Sequence, residues 1–152
     1  MATKKISCDG FTLVEIMIVI AIIVILAAVS IPIFLASRIN ANEASAIVSC
    51  RTMQSACQSY YMNIIPHTYP SALGDLVSPN SNPPYLDIVL AINKQKQGYR
   101  FEYVFNNSES FYVYADPITP GRTGNRYFFV DETGVTRART GGRAGLADTP
   151  IE

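Results

Sequence analysis

One stretch of this chain contains almost no residue that interrupts a helix. Residues 11–65 hold no glycine and one proline, Pro32, although the chain has nine of each. Because these two residue types are the least compatible with a helix interior, we predict one helix from Phe11 to about Asn63, about 80 Å long. A chain of 152 residues cannot bury such a rod along its whole length, so part of it must project into another environment.

The first half of the predicted helix is strongly apolar. Residues 11–36 contain 22 apolar residues out of 26. The segment Ile16–Ala36 is long enough to cross a bilayer, and it has no polar stripe, which is typical of a helix in lipid or in a bundle of helices. Pro32 removes one backbone donor and its ring clashes with the carbonyl of Ala28, so we expect a helix kink there.

The second half of the predicted helix, residues 37–65, is amphipathic. Apolar residues recur at intervals of four and three, which places them along one helix face. Charged and amide side chains occupy much of the remaining surface. This half is therefore predicted to pack one stripe against a soluble domain. The stripe consists of Ala46, Cys50, Met53, Cys57, Tyr60 and Ile64.

Short strands and turns are predicted beyond the helix. Tyr99, Phe101, Tyr103 and Phe105 alternate with more polar residues, which indicates a half-buried strand. Three further strands follow after short turns, and such connections favour an antiparallel meander. The predicted fold class is α+β, with a long kinked N-terminal helix on a small antiparallel sheet. The further strands are Phe111–Ala115, Tyr127–Val130 and Val135–Ala138.

The N-terminus combines a basic segment with a short motif and an apolar run. Lys4 and Lys5 precede the apolar segment, and basic residues in this position remain on the cytoplasmic side. The run from Gly10 to Glu15, GFTLVE, resembles the class III signal of type IV pilins and type II secretion pseudopilins. The resemblance covers residues 4–40, about a quarter of the chain.

The resemblance implies processing and assembly. It implies cleavage after Gly10 by a membrane-bound prepilin peptidase, N-methylation of Phe11, and a pilin-like fold. The implied partners are other copies in a homo-oligomeric helical filament, the prepilin peptidase/methylase and an inner-membrane assembly platform. The implied location is the cytoplasmic membrane, crossed once with the C-terminal domain outside, and then an extracellular pilus or a periplasmic pseudopilus.

Glu15 is the one carboxylate in the apolar half of the helix. An unpaired carboxylate in lipid costs several kcal/mol, so it needs a partner or a proton. Cleavage after Gly10 would give Phe11 a charged amine, and in a staggered bundle this amine can meet Glu15 of a neighbouring copy. The pair would set the register of assembly. The alternative is that Glu15 lies at the membrane surface.

These considerations divide the chain into five segments. Residues 1–10 are predicted to be a cleaved leader, and residues 11–36 the transmembrane or filament-core half of the helix. The amphipathic half follows at 37–65. Residues 66–139 are predicted to form a loop and sheet head domain, and residues 140–152 a flexible tail.

The cysteines do not predict a disulfide within the chain. Cys8 lies in the predicted leader, and Cys50 and Cys57 are seven residues apart on one helix, or about 10.5 Å. A disulfide requires Cα atoms closer than about 7 Å. We therefore expect both thiols to be buried on the packing stripe, with a bridge between copies as the alternative.

No other residues assemble into a catalytic, metal or nucleotide motif. We interpret the single histidine as a loop residue and the acidic residues as turn formers, with a calcium site as the alternative. The basic residues near the C-terminus are predicted to be solvated, with contact to DNA or acidic surfaces as the alternative. The sequence predicts no enzyme, no cofactor, no metal site, no nucleotide and no nucleic-acid partner. The residues concerned are His67, Asp116, Asp131, Glu132, Arg137, Arg139 and Arg143.

Three hypotheses follow for the function. The first is a structural subunit of a type IV pilus or pilin-like filament, and the second is a pseudopilin of a type II secretion system. The third, from a different class, is an extracytoplasmic enzyme or binding protein held by an uncleaved signal anchor. A formal net charge of zero argues against a whole-chain nucleic-acid binder.

Overall fold

A single long helix dominates the N-terminal part of the computed structural model, which describes residues 11–78 and 82–151. The helix α1 spans Leu13–Asn63. It begins two residues after the predicted start and ends at the predicted residue. Pro32 lies inside it, and a kink at this position stays a prediction. The chain divides into two compact units between Ala36 and Ser37. The second unit, from Ser37 onward, contains the sheet, and we call it the sheet unit.

The predicted leader lies outside the described residues. It includes Lys4, Lys5, Cys8 and the processing residue Gly10. The segment between α1 and the sheet contains a short 3₁₀ turn, Leu73–Leu76. A π-helical turn, Val89–Asn93, follows and was not predicted.

Within the described residues, six antiparallel strands form one sheet, and their order in the sheet is their order in the chain. Each strand therefore pairs with its neighbours in sequence, which confirms the predicted meander. The four predicted strands are present, and short edge strands flank them. The strands are β1 Gln95–Lys96, β2 Tyr99–Asn107, β3 Ser110–Pro117, β4 Arg126–Asp131, β5 Thr136–Thr140 and β6 Thr149–Pro150.

The second half of α1 packs one stripe into the core of the sheet unit. Ala46, Cys50, Met53 and Cys57 are at most 1% exposed, as the apolar spacing predicted. One face of the sheet supplies the other side of this core. Full burial of one such large apolar side chain contributes about 1.5–3 kcal/mol relative to exposure. The buried sheet residues are Tyr99, Phe101, Phe111, Val113, Ala115, Phe128 and Val130.

The second face of the sheet is covered around Phe129. Phe129 lies between Phe128 and Val130 and therefore points to the opposite face, yet it is 1% exposed. Its ring lies 5.6 Å from that of Tyr112 and 5.3 Å from that of Tyr114, measured between centroids. The guanidinium of Arg143 lies over the Tyr114 ring at 4.3 Å.

The segment predicted to be a flexible tail contacts the sheet. Arg143 forms ion pairs with Glu102 and with Asp116, the latter at 2.8 Å. Ala144 is buried, and β6 pairs with β5. These contacts were not predicted, because the segment is poor in apolar residues. They consist of charge pairs and backbone hydrogen bonds with distant strands, which have no local sequence pattern.

Candidate functional site

The first turn of α1 is closed by a reciprocal pair of hydrogen bonds. The Glu15 amide donates to the Thr12 hydroxyl at 3.2 Å, and the Thr12 amide donates to Oε2 of Glu15 at 2.9 Å. This is a capping box, in which two side chains satisfy backbone donors that the helix leaves unpaired. The Thr12 hydroxyl also donates to Oε2, at 2.8 Å. The spacing Thr-x-x-Glu was a sequence signal for this role, and the sequence reasoning missed it.

Among residues 11–78 and 82–151, none covers the apolar half of the helix. Phe11 is 85% exposed, and the large apolar side chains that follow, from Leu13 to Leu35, are also exposed. By length and composition α1 is the one helix among the described residues that could cross a membrane. Soluble monomers rarely expose an apolar surface of this extent, so this segment requires lipid or other protein around it.

Glu43 fixes the second half of the helix to the start of β4. This glutamate is 4% exposed. Its Oε1 accepts hydrogen bonds from the amides of Asn125 and Arg126 at 2.8 Å and 3.2 Å. Its Oε2 accepts from Nε of Arg126 at 2.7 Å. Charge-assisted bonds of this kind are stronger than neutral ones.

The hydrogen bonds decide the protonation state of Glu43. Burial alone would raise the pKa of this carboxyl. The Asn125 amide and the Arg126 side chain and amide outweigh that effect, so the pKa of Glu43 lies below the ordinary value of 4.5. Glu43 is therefore ionised at neutral pH. Sequence reasoning missed this residue, because nothing in its local sequence distinguishes a buried glutamate from an exposed one.

A second contact joins α1 to the turn before β4. Nδ2 of Asn42 donates to the carbonyl of Thr123 at 2.9 Å. The hydroxyl of Tyr99 donates to the carbonyl of Arg126, the first residue of β4, at 2.8 Å. A Cβ on Gly124 would lie 2.0 Å from that hydroxyl, so glycine is required here for close approach. The contacts of Asn42 and Glu43 together set the position of the sheet along the helix.

The cysteines behave as the spacing predicted. Cys50 and Cys57 are free and fully buried. Burial raises the pKa of each thiol to about 12. Thiolate is the reactive form, so both side chains act as small apolar core residues in the folded chain.

The remaining candidate residues do not converge on one site. His67 is exposed in a loop, where its Nδ1 lies 2.9 Å from the Tyr61 carbonyl. Asp131 accepts from the Thr133 amide at 3.0 Å and also from the Thr133 hydroxyl, which is the turn role predicted for it. Within residues 11–78 and 82–151, no group of three or more His, Cys, Asp or Glu side chains could hold a metal ion.

The N-terminal segment matches a known family model. The model describes the prokaryotic N-terminal methylation motif, and it matches residues 7–31. This range contains the GFTLVE run and most of the exposed apolar segment. The chain therefore carries this motif, as the predicted resemblance requires.

Similar proteins come from two systems. A type IV major pilin protein PilE1 of Neisseria gonorrhoeae is 41% identical over 71 residues, or 45% of this chain and 33% of the relative. A fimbrial protein of Neisseria meningitidis serogroup B is 46% identical over 54 residues, covering 36% of this chain and 32% of the relative. The type II secretion system core protein G of Escherichia coli K12 is 34% identical over 93 residues, or 59% of each chain.

These matches confirm the resemblance to type IV pilins and pseudopilins and fit the pilin-like α+β fold. The matched segments span about a third of the length of the neisserial relatives. No solved structure matches the chain significantly.

Proposed function

We propose that this chain is a structural subunit of a type IV pilus or a pilin-like filament. The proposal rests on the methylation motif at residues 7–31, which continues into a helix half whose large apolar side chains are exposed in the part of the chain that the structure describes. A protein that acts alone would not maintain such a surface outside a membrane. A subunit that moves from a bilayer into a bundle of identical helices keeps this surface in apolar surroundings throughout.

Processing precedes assembly in this proposal. A prepilin peptidase removes residues 1–10 by cleavage after Gly10, and the new N-terminal residue, Phe11, is methylated on its amine. Residues 11–36 hold the subunit in the cytoplasmic membrane, with the sheet unit outside. An inner-membrane assembly platform then transfers the subunit into the filament.

Glu15 sets the register of assembly in this proposal. In the single chain both hydrogen bonds from Thr12 reach Oε2 of Glu15. A carboxylate has acceptor sites on both oxygens, so Glu15 retains the capacity to accept the Phe11 amine of a neighbouring copy. The two charges neutralise each other in apolar surroundings, where an unpaired charge is strongly unfavourable.

Intact mass of the membrane-extracted protein tests the processing step. Loss of residues 1–10 together with one added methyl group supports the proposal. Retention of Met1–Gly10 contradicts it and favours the signal-anchored enzyme or binding protein.

Two variants separate the roles of Glu15 in capping and in assembly. Glu15→Gln removes the charge that pairs with the amine, and we expect processing to continue while filaments are lost. Thr12→Val removes the hydroxyl of the capping box and retains the carboxylate, and we expect filaments to form. Normal filaments from Glu15→Gln would refute the pairing, and equal loss from both variants would assign Glu15 to capping alone.

A pseudopilin of a type II secretion system is the second candidate. Similarity to the type II secretion core protein G extends over 59% of this chain, beyond the apolar segment and into the sheet unit. Electron microscopy of cells that express the chain at its normal level distinguishes the two. Long surface filaments support the pilus, and their absence together with a secretion defect in a deletion strain supports the pseudopilus.

A further inference from the structure

Three structural elements meet at one end of the sheet unit, which we call the proximal end. Asn42 of α1 binds the Thr123 carbonyl at 2.9 Å. A Cβ on Gly98, in the turn between β1 and β2, would lie 2.8 Å from Cβ of Thr123 and 3.3 Å from Nδ2 of Asn42. The proximal end therefore contains the start of the packed part of α1, the β1–β2 turn and the turn before β4.

The proximal end is rich in cations that lack acidic partners. Five exposed basic residues lie in these elements or beside them, and within the described residues none of the five forms an ion pair. The buried carboxylate here, Glu43, is held by Arg126, and Glu102 and Asp116 are held by Arg143. The five cations are Arg38, Lys94, Lys96, Arg100 and Arg122.

The opposite end of the sheet has the reverse character. The turn between β2 and β3 carries Glu109, and the turn between β4 and β5 follows Asp131 with Glu132. Neither turn contains a lysine or an arginine. Of the eight basic residues in the described part of the chain that form no ion pair, five therefore belong to the proximal end, and the other three are Arg51 on α1 and Arg137 and Arg139 on β5.

A short length of chain connects the proximal end to the apolar segment. Asn42 follows Ala36 by six residues, which span at most about 20 Å of chain. Arg38 follows Ala36 by two residues, so the chain itself keeps this cation near the boundary of the apolar segment. Two exposed isoleucines lie near these cations. Ile92 precedes Lys94 by two residues, and the amide of Ile118 donates to the carbonyl of Gly98 in the turn between β1 and β2. Basic residues mixed with exposed apolar ones suit the headgroup region of a bilayer.

We propose that the proximal end docks on anionic phospholipid headgroups while the chain is anchored in the membrane. The inference rests on the proposed membrane stage of the subunit. Lysine and arginine side chains donate to headgroup phosphates, and their attraction to an anionic surface adds up over several residues. Docking keeps the sheet unit at the bilayer surface until transfer to the filament replaces lipid contacts with contacts to other copies.

Amide hydrogen exchange of the full chain in lipid nanodiscs tests this proposal. Discs of phosphatidylcholine alone are compared with discs containing about 30% phosphatidylglycerol, at one chain per disc. We expect exchange in residues 94–100 and 118–124 to slow about threefold or more in the anionic discs. Exchange at the opposite end of the sheet, in residues 106–109, should be unchanged. About 0.5 M salt should abolish the difference.

A matched pair of charge reversals supplies the control. Arg122→Glu lies at the proximal end, whereas Arg51→Glu makes the same charge change at an exposed position 15 residues beyond Ala36 on α1. We expect the first variant to lose most of the protection and the second to retain it.

The possible outcomes separate docking from the proposed function. Equal exchange in both lipids, with the chain still floating with the discs, overturns docking and leaves the filament proposal standing. Protection that requires two chains per disc but not anionic lipid assigns the proximal end to a second copy and overturns docking. Failure of the chain to insert overturns docking together with the membrane stage of the proposed function.

Discussion

The two halves of α1 share one backbone conformation and have opposite relations to the rest of the protein. Met17 in the first half is 57% exposed, and Met53 in the second half is fully buried. The glutamates differ in the same way. Glu15 bonds to a residue three positions away, whereas Glu43 bonds to residues 82 and 83 positions away. A continuous helix therefore does not define one functional region.

The two halves of α1 are stabilised in different ways. The second half is stabilised by its own chain, through a core with the sheet and a buried carboxylate. The first half has helical hydrogen bonds, but among the described residues its large apolar side chains are exposed, so their surroundings must come from a membrane or from other protein. Four experiments test this difference, from the largest expected effect to the smallest.

Thiol reactivity is the most sensitive test of burial in the second half. Burial raises the pKa of Cys50 and Cys57 from 9.0 to about 12, which lowers the thiolate fraction about a thousandfold. We expect maleimide to label neither residue in the folded chain, in a Cys8→Ser background, and both in denaturant. Ser55→Cys, on the exposed face of the same half, should label rapidly. Fast labelling of the native thiols would show that the packing stripe opens readily.

Equivalent methionines on the two halves give the largest expected change in stability. Met53→Ala leaves a cavity in the core and should reduce the free energy of unfolding by about 2–5 kcal/mol. Met17→Ala should leave it unchanged in detergent, because the Met17 side chain is 57% exposed and its loss leaves no cavity in the core around Met53. Chemical denaturation followed by tyrosine fluorescence measures both. Similar losses in the two variants would contradict the distinction between the halves.

The two glutamates should differ in their effect on acid stability. The folded pKa of Glu43 lies below its unfolded value near 4.5, so its contribution is present above that pH and is lost as the pH falls through the folded pKa. We expect Glu43→Gln to lower stability at pH 7 by about 1–3 kcal/mol and to flatten the acid side of the stability profile. Glu15→Gln should leave the unfolding of the sheet unit unchanged. A Glu43→Gln variant with the original acid profile would contradict the assigned role of the carboxylate.

The smallest effect is expected for an exposed position on the second half. Val48 belongs to the half that packs on the sheet, but it is 62% exposed. Val48→Ala should change the free energy of unfolding by less than about 0.5 kcal/mol. A loss as large as that of Met53→Ala would show that the whole circumference of this half contributes to stability, rather than one stripe.

Sequence patterns predicted the parts of the fold that depend on near neighbours. The absence of glycine in residues 11–65 predicted α1, and the spacing of its apolar residues predicted the buried stripe around Met53. Alternation from Tyr99 to Phe105 predicted β2, although only Tyr99 and Phe101 are fully buried and Phe105 is 40% exposed. The GFTLVE run predicted the resemblance that the methylation-motif match confirms.

The contacts that the sequence did not predict join distant segments. The burial of Glu43, the covered second face around Phe129 and the anchoring of Arg143 all depend on how strands are arranged. Composition suggested a loose C-terminal segment, because it contains few apolar residues. In the structure, ion pairs and strand pairing hold this segment, and neither has a local signature in sequence.

The sequence by itself determined the helix, its division into an apolar and an amphipathic half, and the motif at its start. Helical hydrogen bonds and the Thr12–Glu15 capping box join residues three or four positions apart, so short-range patterns are sufficient to specify them. Only the tertiary structure decided which glutamate is buried with a partner and where the unpaired cations gather. Those features join residues about 80 positions apart, and they exist only after the sheet has packed against the helix.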